Sequence, residues 1–314
     1  MPDIDIEAAR SDPKLANVVY HDWEAASYDD KWSISFDERC IDYARDRFAK
    51  IAGTDGWPYG DALEIGAGTG FFLLNLKQAG VLDRGTVTDI SPGMVEAALR
   101  SANALGFGDT VTGRVVDAEG LPFDDASFDL VVGHAVLHHI PDVDLALREV
   151  LRVLRPGGRF VFAGEPTRWG DAVARRLSHA TWLAATSLRH VPGLRSWVRP
   201  AAELTESSQA AALEWLVDLH TFAPADLRGV AVRAGAIDVD VATEELTAAW
   251  FGWPVRTLEC ALAPDRLGVR WAYFAFNSWK RLMAVDGLAA RVVPQALFYN
   301  ALVTGVRPGE PVRL

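Results

Sequence analysis

The stretch "ALEIGAGTG", residues 62–70, limits the chain more than any other: a short apolar run stops at an acid, then breaks into alternating glycines before an apolar helix. A strand, a glycine turn and a helix open a βαβ unit. Gly66, Gly68 and Gly70 lie two apart, and glycine tolerates positive φ and the close approach of another group because it has no Cβ. The turn therefore reads as a cradle.

From residue 61 onward strands and helices alternate with short connections, the pattern of a parallel sheet. Ala62–Ile65 is the first strand, and Phe71–Ala79 is a helix closed by Gly80. Val87 and Thr88 lead a second strand to Asp89, after which Ser91 and Pro92 supply an N-cap and a first-turn proline. Val111–Val116 is the third strand, ending at Asp117, and Phe128–Val132 is the fourth, followed by a loop holding His134, His138 and His139. Asp142 caps a helix whose apolar stripe is Val143, Leu147, Val150, Leu151 and Leu154, and Arg159–Ala163 is the fifth strand. After Pro166 the rhythm breaks. A tryptophan-containing helical stretch, Thr167–Leu219, precedes a helix over 224–234 capped by Gly235 and a strand through Ile237, Val239 and Val241. A second aromatic insertion covers Thr247–Pro294, and "LFYNALVTGV" closes the sheet. The expected fold is α/β, a doubly wound, Rossmann-like, mostly parallel seven-stranded sheet with helical insertions after strand five and before the last strand. The organisation read from this is an N-terminal helical cap (1–60), a core (61–166), and a remainder (167–314) that completes the same sheet without a second core and carries lid insertions at about 167–219 and 247–294.

Half of the 314 residues are apolar and under a quarter are charged, the profile of a globular chain. Met1–Asp5 has neither a basic nor an apolar leader region, which predicts a cytoplasmic protein. The richest apolar stretch, Trp271–Met283, is interrupted by Asn277, Lys280 and Arg281, so no membrane span is expected, while peripheral association stays open. Cys40 and Cys260 have no Cys or His neighbours at ligand spacing, so no metal and no disulfide framework is expected. A formal net charge of -11 argues against a general affinity for nucleic acid, and the expected partner is a small-molecule acceptor. Arg148, Arg152, Arg155 and Arg159 read as a solvated helix face and its exit.

A dinucleotide fingerprint wants G-x-G-x-x-G, but counting from Gly66 the third position is Phe71, too large for close helix packing. The spacing present, preceded by Glu64, suits a ligand without a pyrophosphate. Asp89 and Asp117 end successive strands and would face the same crevice. The first can accept both hydroxyls of a ribose and the second the exocyclic amine of an adenine, with Ile90 and Leu121 available to sandwich the ring.

These stretches, with "VTDISPGMVEAA", "VVDAEGLPFDDASFDLVVGHAVLHHIPD" and "LREVLRVLRPGGRFVFAGEP", resemble the class I S-adenosylmethionine-dependent methyltransferases. Within them they are similar to the ubiquinone/menaquinone-biosynthesis group, the methyltransferase type 11 domain, over residues 61–166. The resemblance implies S-adenosyl-L-methionine as cofactor, with Glu64, Gly66, Gly68 and Gly70 along its methionine part, Asp89 at the ribose, and Asp117 with Ala118 at the adenine. Ala67, Ile90 and Met94 belong to the same set, and His134 lies beside the amino-acid moiety. Tyr28, in "ASYDDKW", looks like the family's segment that folds over the cofactor. Beyond 166 only "PADLRGVAVRAGAIDVDV" keeps the family look.

The expected reaction is in-line methyl transfer, which asks mainly for proximity and alignment, worth ~7 to 11 kcal/mol. If the acceptor must lose a proton, His138, His139 and Glu165 are the candidate bases, although adjacent histidines after a buried strand are also a common structural pair. A nucleotide-dependent oxidoreductase is the alternative that Phe71 and Asp117 oppose; a non-catalytic cofactor-binding protein is another. The insertions carry Trp169, Trp182, Trp197, Trp215, Trp250, Trp253, Trp271 and Trp279. An aromatic lid over a methyl donor points to a hydrophobic acceptor, and packing of the tryptophans against each other is the competing reading.

Overall fold

The computed structural model describes residues 12–25, 28–29, 34–205 and 217–309. The leader reading of residues 1–5, most of "ASYDDKW" and Trp215 lie outside them.

The first strand, β1 (Tyr59–Ile65), is buried over its last four residues and runs straight into the glycine turn. Beside it lie β2 (Leu82–Asp89), β3 (Val111–Val115), β4 (Phe128–His134) and β5 (Leu154–Pro166), then, late in the chain, β6 (Ile237–Glu244) and β7 (Asn300–Val306). They form one seven-stranded sheet in the order β3-β2-β1-β4-β5-β7-β6. β1 is parallel to β2 and β4, β2 to β3, and β4 to β5. β7 runs against β5: Arg307 exchanges backbone hydrogen bonds with Gly157 and Gly158, whereas Thr167 donates to Tyr299 at the other end. The sheet is thus mostly parallel with an antiparallel closure.

Register places the site. Ile65 lies opposite Thr88, Asp89 opposite Val115, and His134 opposite Ala163, so the carboxyl ends of β1 to β4 share one edge. Strand order reverses between β1 and β4, where open α/β sheets form their ligand crevice. Between the strands, α3 (Phe71–Gln78) buries Phe72, Leu73, Leu74 and Leu76 completely, as a helix apolar nearly all round must. With Leu130, Val132, Val161 and Ala163 of the sheet they make the main core, which Ala44, Phe48 and Ile51 of α2 (Glu38–Ala52) complete. The caps read from sequence are present: Ser91 Oγ accepts from Met94 N–H at 3.1 Å ahead of α4 (Pro92–Ala104), and Asp142 Oδ1 accepts from Leu145 N–H at 2.8 Å ahead of α5 (Val143–Val153). Gly235 closes α7 (Pro224–Ala234) in the left-handed conformation.

Two compact units emerge, one of Met1–Glu165, Leu216–Ala242 and Leu302–Leu314, the other of Pro166–Trp215 and Thr243–Ala301. The second is built on α6 (Arg168–Ser187), α8 (Thr247–Ala261) and α9 (Pro264–Ala289). It holds an apolar cluster of Ala185, Val198, Leu204, Ala261 and Leu262, with Trp182 and Leu258 packed on it. A separate cluster was not expected for the insertions, because its members come from segments about sixty residues apart that only the tertiary structure joins. Asp286 of α9, 3 % exposed, accepts from the backbone N–H groups of Leu246, Thr247 and Ala248, each at 2.9 Å. It thereby caps α8, whose own N-cap, Leu246, has no side chain to do so. Among the described residues no helix is long and apolar enough to cross a membrane.

Candidate functional site

A cleft of about 940 Å³, its open mouth included, lies along the carboxyl edge of β1 to β4. Its floor is the glycine turn. Gly66 has φ 59°, and a Cβ there would sit 2.1 Å from Val136 Cγ2, so packing alone demands glycine. Gly68 has φ 53°, but the nearest atom to its missing Cβ is Tyr28 Cε1 at 3.6 Å. The space above Gly68 is open to a ligand, with Tyr28 across it. Gly70 lies outside the cleft wall: it is the left-handed N-cap of α3, and a Cβ would press on Leu74.

The acids divide by burial. Asp89, 8 % exposed, accepts from Gly68 N–H through one oxygen and from Ser91 N–H through the other, both at 2.9 Å. Burial raises its pKa. Glu64, 1 % exposed, accepts from Leu73 N–H at 3.2 Å, and burial together with the charge of Asp89 pushes its carboxyl well up. Two buried carboxyls in one cleft disfavour an anionic ligand and favour a cationic one that also brings hydroxyls. Asp117, at the end of β3, is more exposed and carries a partner absent from the sequence reading: Lys14 Nζ lies 2.6 Å from Asp117 Oδ2 and 2.5 Å from Glu119 Oε2. Burial lowers the Lys14 pKa, but the two carboxylates outweigh it and hold the ammonium charged. So exposed a pair contributes roughly 0 to 1 kcal/mol to stability.

Ile90, Ala67, Ala118 and His134 line the same cleft. Met94 does not; it is 1 % exposed and packed into the interior, as is Leu121 at 4 %. The His134 ring stands edge-on to Phe71 and Tyr43, with Nε2 3.1 Å from Tyr43 Oη. Burial, aided by the charge of Arg47, lowers its pKa to about 3, so it is a neutral wall.

Beyond β4, Ala135 takes φ 53° and turns the chain into a short 3-10 helix, Leu137–His139. Glu165, wholly buried, holds that helix: it accepts from the N–H groups of Val136 (3.0 Å), Leu137 (2.9 Å) and His138 (3.1 Å), and its Oε2 lies 2.9 Å from His138 Nδ1. Burial pushes the Glu165 pKa up, but these bonds, His138 first, outweigh it and leave the carboxyl below its ordinary value. Neither Glu165 nor His138 reaches the cleft wall; His139 does. His139 Nδ1 lies 2.9 Å from Val217 O, and a carbonyl only accepts, so Nδ1 carries the proton and Nε2 the lone pair. Burial and the neighbouring His138 and His21 keep the ring neutral, with a pKa well below the usual imidazole value. Asp218 Oδ1 lies 3.8 Å from His138 Nε2 and 3.7 Å from His139 Nδ1, a donor set within 4.8 Å. Because Nδ1–H is committed to Val217, His139 would need rearranging before that nitrogen could take a metal.

Sequence reasoning did not single out Lys14, Asn17 and His21, which α1 (Pro13–Glu24) brings to the cleft. Their i, i+3, i+7 spacing, one helix face, was the available signal. The His21 ring meets His139 at 5.4 Å between centroids, and Thr69 Oγ1 donates to Asp29 Oδ1 at 2.6 Å, tying the segment after α1 to the glycine turn.

Residues 63–162 match the family model described as "Methyltransferase domain". The ubiquinone/menaquinone biosynthesis C-methyltransferase UbiE of Bartonella tribocorum is 34% identical over 115 residues, 35% of this chain and 44% of that protein. The demethylmenaquinone methyltransferase of Symbiobacterium thermophilum is 36% identical over 113 residues, 35% and 45% of the two chains. Methyltransferase GfsG of Streptomyces halstedii is 33% identical over 155 residues, 47% and 55%. The matches thus span about half the length of these relatives or less. Among solved structures, the fold is shared by phosphoethanolamine N-methyltransferase 2 of Haemonchus contortus in complex with phosphomonomethylethanolamine and S-adenosylhomocysteine, at TM-score 0.52, 16% identity, and coverage of 85% of this chain and 52% of that one. The [4+2]-cyclase SpnF shares it at TM-score 0.50, 20% identity, and coverage of 86% and 80%. Residues 63–162 are thus a methyltransferase domain by this family model, similar in sequence to the ubiquinone/menaquinone-biosynthesis methyltransferases and in fold to an S-adenosylhomocysteine-bound methyltransferase.

Proposed function

We propose that this chain transfers a methyl group from S-adenosyl-L-methionine to a small hydrophobic acceptor. The observation that carries the reading is the cleft itself: an open space above Gly68, bounded by the buried carboxyls of Glu64 and Asp89 and by Asp117 at the next strand end. In this reading residues 61–166 hold the cofactor and residues 1–60 cap it, with Tyr28 facing Gly68, while 167–314 complete the sheet and carry the helical insertions. Asp89 is the ribose acceptor, and Glu64 balances the ligand's positive charge. When bound, the cofactor supplies an activated methyl on a sulfonium. The protein's task is alignment, with removal of one proton if the acceptor is a hydroxyl or an acidic carbon. His139 Nε2 is the group for that proton, since Val217 holds the other nitrogen; Glu165 and His138 are positioning residues that keep the 3-10 helix in place. A hydrophobic, quinone-like, polyketide-like or lipid-linked acceptor agrees with the names of the matched relatives, which include a demethylmenaquinone methyltransferase, and with the apolar side chains of Ile34, Phe71, Val116 and Ile140 in the cleft wall.

Titration calorimetry with S-adenosylmethionine, S-adenosylhomocysteine and NADH, followed by mass spectrometry of a panel of apolar and polar acceptors, tests the assignment; methylation of polar acceptors alone would overturn the acceptor class. Asp89→Ala should weaken cofactor binding by ~1.5 to 3 kcal/mol, the range for hydrogen bonds to a charged group. An unchanged dissociation constant in the folded variant would remove Asp89 from the ribose site.

His139→Ala should lower kcat roughly 10²- to 10⁴-fold with cofactor affinity kept, the usual contribution of a general base. Because burial holds the His139 pKa well below the usual imidazole value, the wild-type rate should stay flat across neutral pH. It should fall only in acid, as the ring becomes protonated. A kcat unchanged in the variant would mean that no base is used there.

A further inference from the structure

Within the second unit, α9 presents an outer surface that is both basic and apolar. From Arg266 to Val292 the sequence has five basic residues, Arg266, Arg270, Lys280, Arg281 and Arg291, in a protein whose formal net charge is -11. Its single acid there, Asp286, is turned inward and spent on the backbone of α8. The outward side therefore has no acid at all between Arg266 and Val292. On that same side stand large apolar groups: Val269 is 69% exposed, Tyr273 67%, Phe274 55%, Leu288 64% and, just past the helix end, Val292 85%. Arg270, Lys280 and Arg281 are exposed among them, and among the described residues none of the three has a carboxylate partner.

Scattered single exposed apolar residues need no explanation, but here they line one helix together with unpaired cations. A second copy of the chain would bring a strongly acidic body to this face, yet it would also bring the same basic helix if the contact were two-fold, placing like charges together. A surface that is apolar just below a layer of negative charge answers both features at once. We propose that α9 docks this protein on an anionic lipid surface, lying in the plane of the interface with Val269, Tyr273 and Leu288 entering the acyl boundary and Arg270, Lys280 and Arg281 at the headgroups. Gly268, at φ 65° and ψ 177°, breaks the helix from its first turn and gives the docking segment a defined start. The proposal stands on α9 alone and does not depend on the methyl-transfer reading.

The test is co-sedimentation of the 314-residue chain with sucrose-loaded vesicles of phosphatidylcholine, with and without phosphatidylglycerol. Wild type should partition at least tenfold more strongly onto the anionic vesicles, and added salt should weaken the binding. Arg270→Glu/Lys280→Glu/Arg281→Glu should abolish that preference. Val269→Ser/Tyr273→Ser/Leu288→Ser should lose the part of the binding that survives salt. S-adenosylhomocysteine binding, measured by calorimetry on the same variants, should be unchanged, which separates lost docking from lost folding and from any failure of the cofactor assignment. Equal partition onto neutral and anionic vesicles, wild-type binding by the charge-reversed variant, or a dimer in sedimentation equilibrium that the serine variant dissolves while vesicles are ignored would each overturn it.

Discussion

Glu165→Ala is expected to destabilise the first unit by about 3 to 5 kcal/mol, the cost of removing one side of a buried, charge-assisted network. The carboxylate is wholly buried and accepts from three backbone N–H groups, and its Oε2 also lies 2.9 Å from His138 Nδ1. Alanine leaves these donors without an acceptor, and each buried unsatisfied group costs about 1 to 3 kcal/mol, less where water enters the space left. Glu165→Gln keeps one carbonyl oxygen but turns an amide NH2 toward other donors, so it should fall between the two. Urea unfolding at constant m measures the difference; a loss under about 1 kcal/mol would show that water replaces the carboxylate. The acid limb carries a second signature. Since the native carboxyl sits below its ordinary pKa, its contribution is fully present above the unfolded value and is lost as pH falls through the folded one. The alanine variant should therefore lose less stability than wild type on acidification.

Gly68→Val is expected to abolish cofactor binding, at least 100-fold in dissociation constant, while far-UV circular dichroism stays near that of wild type. Two effects act at this position. The left-handed backbone at φ 53° costs a β-branched residue of order 1 to 3 kcal/mol of stability, which a folded domain of this size tolerates. The side chain also enters the open space between the turn and Tyr28, where a Cβ alone already lies 3.6 Å from the Tyr28 ring. Gly68→Ala is the graded control, adding only that one carbon, and should bind more weakly than wild type but more tightly than valine. Wild-type affinity in a folded Gly68→Val protein would mean that the turn does not cradle the ligand.

Much of this arrangement was legible in the residue order, because it rests on local signals. Alternating apolar runs and capped helices set the strand and helix sequence; Ser91, Asp142 and Gly235 cap the helices that their neighbours in sequence form. A parallel sheet then brings Glu64, Asp89 and Asp117 to one edge, since each lies within two residues of its strand's last position and register aligns those ends. Strand limits were less legible. β5 runs from Leu154, through Pro156, Gly157 and Gly158, because Arg307, just past the end of β7, pairs with those glycines, and no local pattern records a partner about 150 residues away.

What only the tertiary structure decided is which polar groups are already engaged. Glu165 read from sequence as a base at a strand end; in the fold it is occupied by the amides of Val136, Leu137 and His138. The two adjacent histidines are equivalent in sequence, yet Glu165 takes one and Val217 O orients the other, leaving His139 alone of the pair on the cleft. Lys14 meets Asp117 across 103 positions. The physical reason is common to all three: strand, helix and cap signals arise from neighbours within a few residues, whereas the satisfaction of a buried donor or acceptor depends on whatever chain the completed fold packs against it.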